Sequence, residues 1–390
     1  MKILYVVSRP LEINSSSSLS NKAIIEGLLE NDHVVNLITT QYDENHINFD
    51  KGIINKNLKV KYLEIGGVHK IAKHSRRLSL LKPIKKVIYQ IMSKFQIYDN
   101  LKGISRFALK EELRDQEYDL IISSSDPKSS HLFISKIFEN GKLEKTPWIQ
   151  IWGDPFLLDI TRKNKLLNPK IKLEESRLLK YATKIIYVSS LTLQEQRKLY
   201  PQYANKMSYE PIPYLEKKEY SLEETQKTSI TFLYSGDYSS NIRDIKPLYN
   251  VIKNSKHKLI ICGKSDLDLQ DTERIKVYPR VSYEKTKELE SDCDVLVHLS
   301  NNKGTQIPGK IYQFSGTNKL ILFILDGDKR PIIEEFSKYN RYVFCENNEE
   351  DIKRSILEFQ QGKHNEKRFI VEEFSPQFVT ENIINLKNYY

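Results

Sequence analysis

Residues 304–325 read GTQIPGKIYQFSGTNKLILFIL. Gly304 and Pro308-Gly309 punctuate a loop. The spacing predicts a helix opening near Lys310, with Ile311, Phe314 and Ser315 on one face and Gly316-Thr317-Asn318 ending it. Leu320 to Leu325 is then an unbroken apolar run, the mark of a strand buried on both faces. A loop that opens a helix between two strands is where α/β proteins bind anions, because free N–H groups and the helix dipole favour negative charge there. Lys310 falls at the helix end where a cation is unfavourable. A phosphate in front of it accounts for that placement, and a solvated lysine on an ordinary connection accounts for it equally.

Length and composition frame the rest. A chain of 390 residues is long for one core, so two domains are expected. Hydrophobic residues make up 39% and charged residues 29%, which is a soluble composition. Mean hydropathy is -0.52, and no apolar run approaches the roughly 18 residues of a membrane-spanning helix. MKILYVVSRP at the start reads as a first strand rather than a signal peptide. Cys262, Cys293 and Cys345 lack metal-ligand spacing, and their odd number gives no disulfide framework, so a cytoplasmic location is expected. The net charge of +10 suits an acidic substrate, an anionic membrane surface or nucleic acid. No nucleic-acid motif is present, and no nucleic-acid partner is expected.

In chain order, Lys2–Ser8, a helical pattern through Ala23 and Leu28, and Val34–Ile38 make a βαβ opening and predict a parallel sheet. Ser15 to Ser18 fill the first loop. From His69 to Lys94 the charge is one-signed, with no Asp or Glu between Glu64 and Asp99. Ile84, Val87, Ile88, Ile91, Met92 and Phe95 follow helical spacing there. The stretch 70–95 reads as an anionic-membrane-surface helix, or else as a solvated helix packed on its own domain. Tyr118–Ile122 is a strand followed by the polar loop 123–127, which holds Ser125. Trp148–Trp152 is the next strand and ends in Gly153-Asp154-Pro155. Ligands of open parallel sheets bind at such carboxyl ends. Pro211-Ile212-Pro213 and the charged stretch to Thr228 read as a linker. A second run of strands follows at 229–235, 258–262, 275–278 and 294–299.

Gln306-Ile307-Pro308-Gly309-Lys310-Ile311-Tyr312-Gln313-Phe314, with Gly316, Lys319 and the strand after it, resembles the donor-binding segment of retaining GT-B glycosyltransferases of the group 1 (GT4-like) type. These enzymes build bacterial surface polysaccharides. The family pattern carries two glutamates eight residues apart, where this chain has Thr305 and Gln313. The resemblance implies an α/β fold of GT-B architecture, two Rossmann-like domains with parallel sheets facing across a cleft. It divides the chain into an acceptor domain at 1–212, a donor domain at 228–372 and a helix at 373–390 that crosses back. It implies transfer with retention from a nucleotide-diphosphate sugar to a lipid-linked glycan, with no metal or other cofactor, at the inner face of the cell membrane. Gly236, Thr305, Gln306, Lys310 and Gln313 would bind the donor, with Gln313 at the ribose. Arg243 and Lys310 would stabilise the leaving diphosphate. Asp154 is the leading carboxylate for acceptor contact, with a turn or helix cap as its alternative, and Ser17, Ser18 and Ser125 complete the acceptor set. The Asp-x-Asp pairs at Asp266, Asp292 and Asp326 are too common a pattern to assign a metal.

Two other functions stay open at this level. A non-catalytic glycosyltransferase-like subunit fits the two missing glutamates. A nucleotide-sugar 2-epimerase shares the architecture but needs carboxylates and a histidine around the sugar.

Overall fold

Short runs rich in Ile, Leu and Val set the strands, and the polar turns between them set their ends. The computed structural model describes the chain except residues 47, 51–57, 65–95, 109, 111–112, 163–164, 222–227, 388 and 390. The basic stretch 70–95 thus lies outside the described residues. The chain divides into two compact units, Met1–Glu210 with Thr380–Tyr390, and Pro211–Val379.

The N-terminal unit holds β1 (Lys2–Val6), β2 (Val34–Thr40), β3 (Lys59–Leu63), β4 (Leu120–Ser124), β5 (Trp148–Trp152), β6 (Lys184–Tyr187) and β7 (Met207–Tyr209). They form one seven-stranded sheet in the order β3-β2-β1-β4-β5-β6-β7. Every pairing is parallel, with Ile3 opposite both Val35 and Leu120. Helices α1 (Ser16–Glu30), α2 (Ser129–Glu139), α3 (Asn168–Leu179) and α4 (Ser190–Leu199) lie between the strands in sequence. Ser15 and Ser189 cap α1 and α4 by accepting from Ser18 N and Thr192 N. Every residue of β4 and β5 is buried. Their polar groups are paired inside: Trp148 Nε1 donates to Ser123 Oγ at 2.8 Å and Trp152 Nε1 to Gln150 Oε1 at 3.0 Å. At the far edge Lys184 is buried, and its Nζ donates to the carbonyls of Asn382, Ile383 and Asn385. These close α10 (Pro376–Ile384), whose last carbonyls would otherwise lack partners.

The C-terminal unit holds β8 (Thr231–Ser235), β9 (Lys258–Cys262), β10 (Ile275–Tyr278), β11 (Val295–Leu299), β12 (Leu320–Leu325) and β13 (Val343–Glu346). Their order is β10-β9-β8-β11-β12-β13, again parallel throughout. Its helices include α5 (Lys246–Lys253), α6 (Tyr283–Asp292), α7 (Lys310–Ser315), α8 (Arg330–Ser337) and α9 (Glu349–Gln360). β12 is buried over its whole length, as its sequence predicts. Fully burying each such side chain stabilises by about 1.5–3 kcal/mol.

Residues 213–220, read from sequence as linker, carry fixed structure within this unit. Tyr214 is buried, and its ring lies so close to Gly316 that a Cβ there would meet Tyr214 Cγ at 2.6 Å. Gln313 Oε1 accepts from Leu215 N at 2.9 Å, and its Nε2 donates to Pro213 O at 3.0 Å. Asn318 makes the same two-ended bond to the backbone of Tyr220. Among the described residues no helix is long and apolar enough to cross a membrane.

Candidate functional site

In each sheet the strand order reverses at one point, between β1 and β4 and between β8 and β11. A crevice opens at such a point beyond the carboxyl ends of the strands. The residues singled out from sequence fall on the loops that follow these four strands or their neighbours.

In the C-terminal unit, Gly236 follows β8, and its N–H donates to Cys262 O at 2.8 Å. A Cβ on Gly263 would sit 2.0 Å from Gly236 O, so glycine there lets the ends of β8 and β9 close. Asn302 N, after β11, donates to Ile242 O at 2.8 Å and ties that loop to Arg243. Asn301 Nδ2 donates to Gln306 O at 2.8 Å and shapes the loop that carries Thr305 and Gln306. The Arg243 guanidinium lies near the Tyr234 hydroxyl, which donates to Asp237 O at 3.1 Å. Next to it His298 on β11 is buried with Nε2 unpartnered, and burial and then the Arg243 charge push its pKa down to about 3.

Lys310 opens α7 and is half-buried. Its ammonium lies over the Phe314 ring at 5.6 Å, and among the described residues it makes no ion pair. Burial lowers its pKa, partly offset by Glu290. That carboxylate is taken, since Glu290 Oε2 receives Lys218 Nζ at 2.8 Å and the Tyr220 hydroxyl at 3.1 Å. α7 has only six residues, so the macrodipole expected from sequence is small, and the charge at this point is mostly the lysine itself. Asp237, the acidic residue beside Gly236, is neutralised by Arg280, which sequence reasoning missed. Arg280 Nε donates to Asp237 Oδ1 at 2.9 Å, and Lys264 N donates to the same oxygen at 2.9 Å. Burial raises the Asp237 pKa less than these partners lower it. Gln313 stands apart from this group, with both ends of its amide on residues 213–215.

In the N-terminal unit the loop after β4 carries Ser125 and Asp126, and the loop after β5 carries Asp154. Ser125 Oγ accepts from Gly153 N at 3.2 Å, so the two loops are joined. Ser17 Oγ, at the start of α1, donates to Asp126 O at 2.7 Å. Ser18 turns inward instead, with its hydroxyl on Ile13 O at 2.7 Å. Asp154 lies beside Asp126, and Lys128 binds Asp126 while lying 3.9 Å from Asp159. Lys128 is buried. Burial alone would raise the Asp126 pKa, but Lys128, the neighbouring Asp154 and Arg9 together hold it below the usual carboxylate value. Burial would lower Lys128, and Asp126, Asp154 and Asp159 hold it above.

Glu175 fixes the chain just past Asp154, accepting from Phe156 N at 2.9 Å, Leu157 N at 3.0 Å and the Tyr200 hydroxyl at 2.8 Å. Asp126, Lys128, Asp159 and Glu175 carry no local motif. Only Asp126-Pro127, inside the loop already marked, hinted at them. Among the described residues no group of three His, Cys, Asp or Glu side chains is arranged to hold a metal.

No family model matches the chain, and no curated protein matches it. Solved structures do. The crystal structure of TarM is similar at a TM-score of 0.63 and 10% identity, over 99% of this chain and 98% of that one. WaaG, a glycosyltransferase involved in lipopolysaccharide biosynthesis, is similar at 0.54 and 9%, over 98% and 100%. The UDP-GlcNAc 2-epimerase of Methanocaldococcus jannaschii is similar at 0.54 and 14%, over 100% of both chains. At these identities the likeness shows the fold: two Rossmann-like units with parallel sheets, the GT-B architecture, found in a glycosyltransferase and an epimerase alike.

Proposed function

We propose that the chain is a glycosyltransferase that takes a sugar from a nucleotide-diphosphate donor and passes it, with retention and without a metal, to a lipid-linked glycan of a bacterial surface polysaccharide. One observation carries the reading. Arg243 and Lys310 are two cations at the reversal point of the C-terminal sheet, and neither forms an ion pair among the described residues, because Asp237 is bound by Arg280 and Glu290 by Lys218. A half-buried ammonium without a counterion is costly, and a diphosphate supplies the missing charge. As the sugar leaves, negative charge grows on that diphosphate, and two fixed cations stabilise it more in the transition state than in the ground state. Gly236 gives the backbone close approach, and Thr305 and Gln306 line the loop in front of Lys310. Gln313 enters indirectly, by holding residues 213–215. In the N-terminal unit Asp154 binds the acceptor, with Ser125 and Ser17 shaping its loop.

A binding subunit without transfer is the second reading, favoured by the Gln313 amide being occupied by backbone. Calorimetric titration with nucleoside diphosphates, followed by assays of slow donor hydrolysis and epimer formation, separates the cases. Diphosphate binding lost in Lys310→Ala, together with hydrolysis or transfer, supports the proposal. Binding without turnover supports the subunit, and epimer formation would mark an epimerase.

A further inference from the structure

The segment Ile160–Leu173 contains no acidic residue and has Arg162, Lys163, Lys165, Lys170 and Lys172. It displays Leu166 and Leu173, which are 88% and 74% exposed, more than any other large apolar side chain among the described residues. Lys165, Lys170 and Lys172 are exposed beside them. Asn168 N donates to Lys165 O at 3.0 Å and Ile171 N to Leu167 O at 2.9 Å, so the turn runs directly into the start of α3.

Single exposed leucines are ordinary, but two beside a one-signed charge cluster are not. Nor do the lysines serve the helix. They lie at its N-terminal end, where positive charge opposes the dipole, and the first turn has no acid to offset them. The acids that follow are committed: Glu174 to Arg177 and the Tyr98 hydroxyl, Glu175 to the interior. The segment therefore presents exposed lysines and exposed leucines with no acidic residue between 160 and 173.

We propose that this surface docks on an anionic lipid bilayer, with the lysines at the headgroup phosphates and Leu166 and Leu173 in the apolar layer beneath them. The chemistry favours lipid over other polyanions. Single-stranded nucleic acid is held by stacking on aromatic rings, and protein interfaces centre on Trp, Tyr and Arg, none of which is exposed here beside the leucines. The inference does not rest on glycosyl transfer, since lipid binding is read without any substrate.

The test is flotation of the full chain with vesicles of phosphatidylcholine alone and of phosphatidylcholine mixed with phosphatidylglycerol. Wild type should prefer the anionic vesicles and lose them as salt rises. The triple variant Lys165→Glu/Lys170→Glu/Lys172→Glu should bind them at least ~10-fold more weakly, since each lysine near such a surface is worth roughly 5-fold. Its glutamates suit the helix N-terminus, so its melting midpoint should hold or rise, and lost binding is then not unfolding. Leu166→Ser/Leu173→Ser should weaken vesicle binding several-fold and leave binding to soluble heparin unchanged. Residues 70–95 can add to wild-type binding, so the variants decide. Vesicle affinity unchanged in either variant, or equal binding to neutral vesicles, overturns the proposal. Tighter binding to heparin than to vesicles, with no dependence on the leucines, also overturns it and reassigns the patch to a polyanion.

Discussion

The two sheet-reversal sites differ in how their charge is balanced. In the N-terminal unit Asp126, Lys128, Asp154 and Asp159 answer one another, and a buried lysine is kept charged by its neighbours. In the C-terminal unit Lys310 and Arg243 form no ion pair among the described residues, and the acids near them are taken, Asp237 by Arg280 and Glu290 by Lys218. Two sites built on the same topology have thus been given opposite tasks. In the first the charges are paired within the site, and in the second the two cations form no ion pair among the described residues.

The sharpest way to break this comparison is to remove each lysine. Lys128→Met leaves the half-buried Asp126 without its cation and should cost about 3 kcal/mol of stability in denaturant titration. Lys310→Met should leave stability unchanged or slightly raised, because it removes a desolvated charge with no partner. Equal losses in both variants would mean the two sites are electrostatically alike.

Next in size is the effect on turnover. Lys310→Ala and Arg243→Ala should each lower transfer on the order of 100-fold, the usual effect of losing a transition-state contact. The Lys310 contribution also has a pH signature. Its pKa is lowered by burial, so the free protein loses this charge at a pH below that of an ordinary lysine, and diphosphate affinity should fall as pH rises through that range. Affinity flat from neutral to alkaline pH would take Lys310 out of the site.

Gln313 tests where the C-terminal site ends. Gln313→Ala should lower stability by about 1–3 kcal/mol, since the Leu215 N–H and Pro213 carbonyl lose their partner. Gln313→Glu should also be less stable, because a carboxylate would face the Pro213 carbonyl. If Gln313→Glu instead keeps stability and tightens donor binding, the side chain belongs at the ribose.

The last effect is one the two units share. His131 and His298 are both buried, neutral and held at a pKa of about 3. The unfolded chain binds a proton at each histidine near pH 6.5 and the native chain does not. Stability is therefore full above that value and is lost as pH falls, by roughly 1.4 kcal/mol per histidine for each pH unit between about 6.5 and 3. His131→Phe and His298→Phe should each flatten this slope by one histidine's share, as read from unfolding curves across the window.

What was legible in the sequence follows from locality. The six-residue apolar run of β12 names itself, as do Ser15 and Ser189 at helix starts. β3, reading KVKYL, was missed because its lysines hide the strand pattern, and β7 because three residues give no pattern at all. Asp154 and Lys310 could be picked from their loops. The partners that decide their chemistry could not, because Lys128 meets the Asp126–Asp154 pair, and Arg280 meets Asp237, only after the chain has folded. The linker reading of 213–220 failed for a related reason. Proline and charge are what a linker shows, and only the missing side chain at Gly316 makes room for Tyr214.

That small fit bears on where the gene can be cut. A fragment for the C-terminal unit begun at the first strand of its sheet would omit residues 213–220. It would leave the amides of Gln313 and Asn318 without their backbone partners and Glu290 without Lys218 and Tyr220. It would also open a ring-sized hollow over Gly316 beside the lysine on which the proposed chemistry depends. The natural left border of this unit is Pro211, upstream of every strand in its sheet.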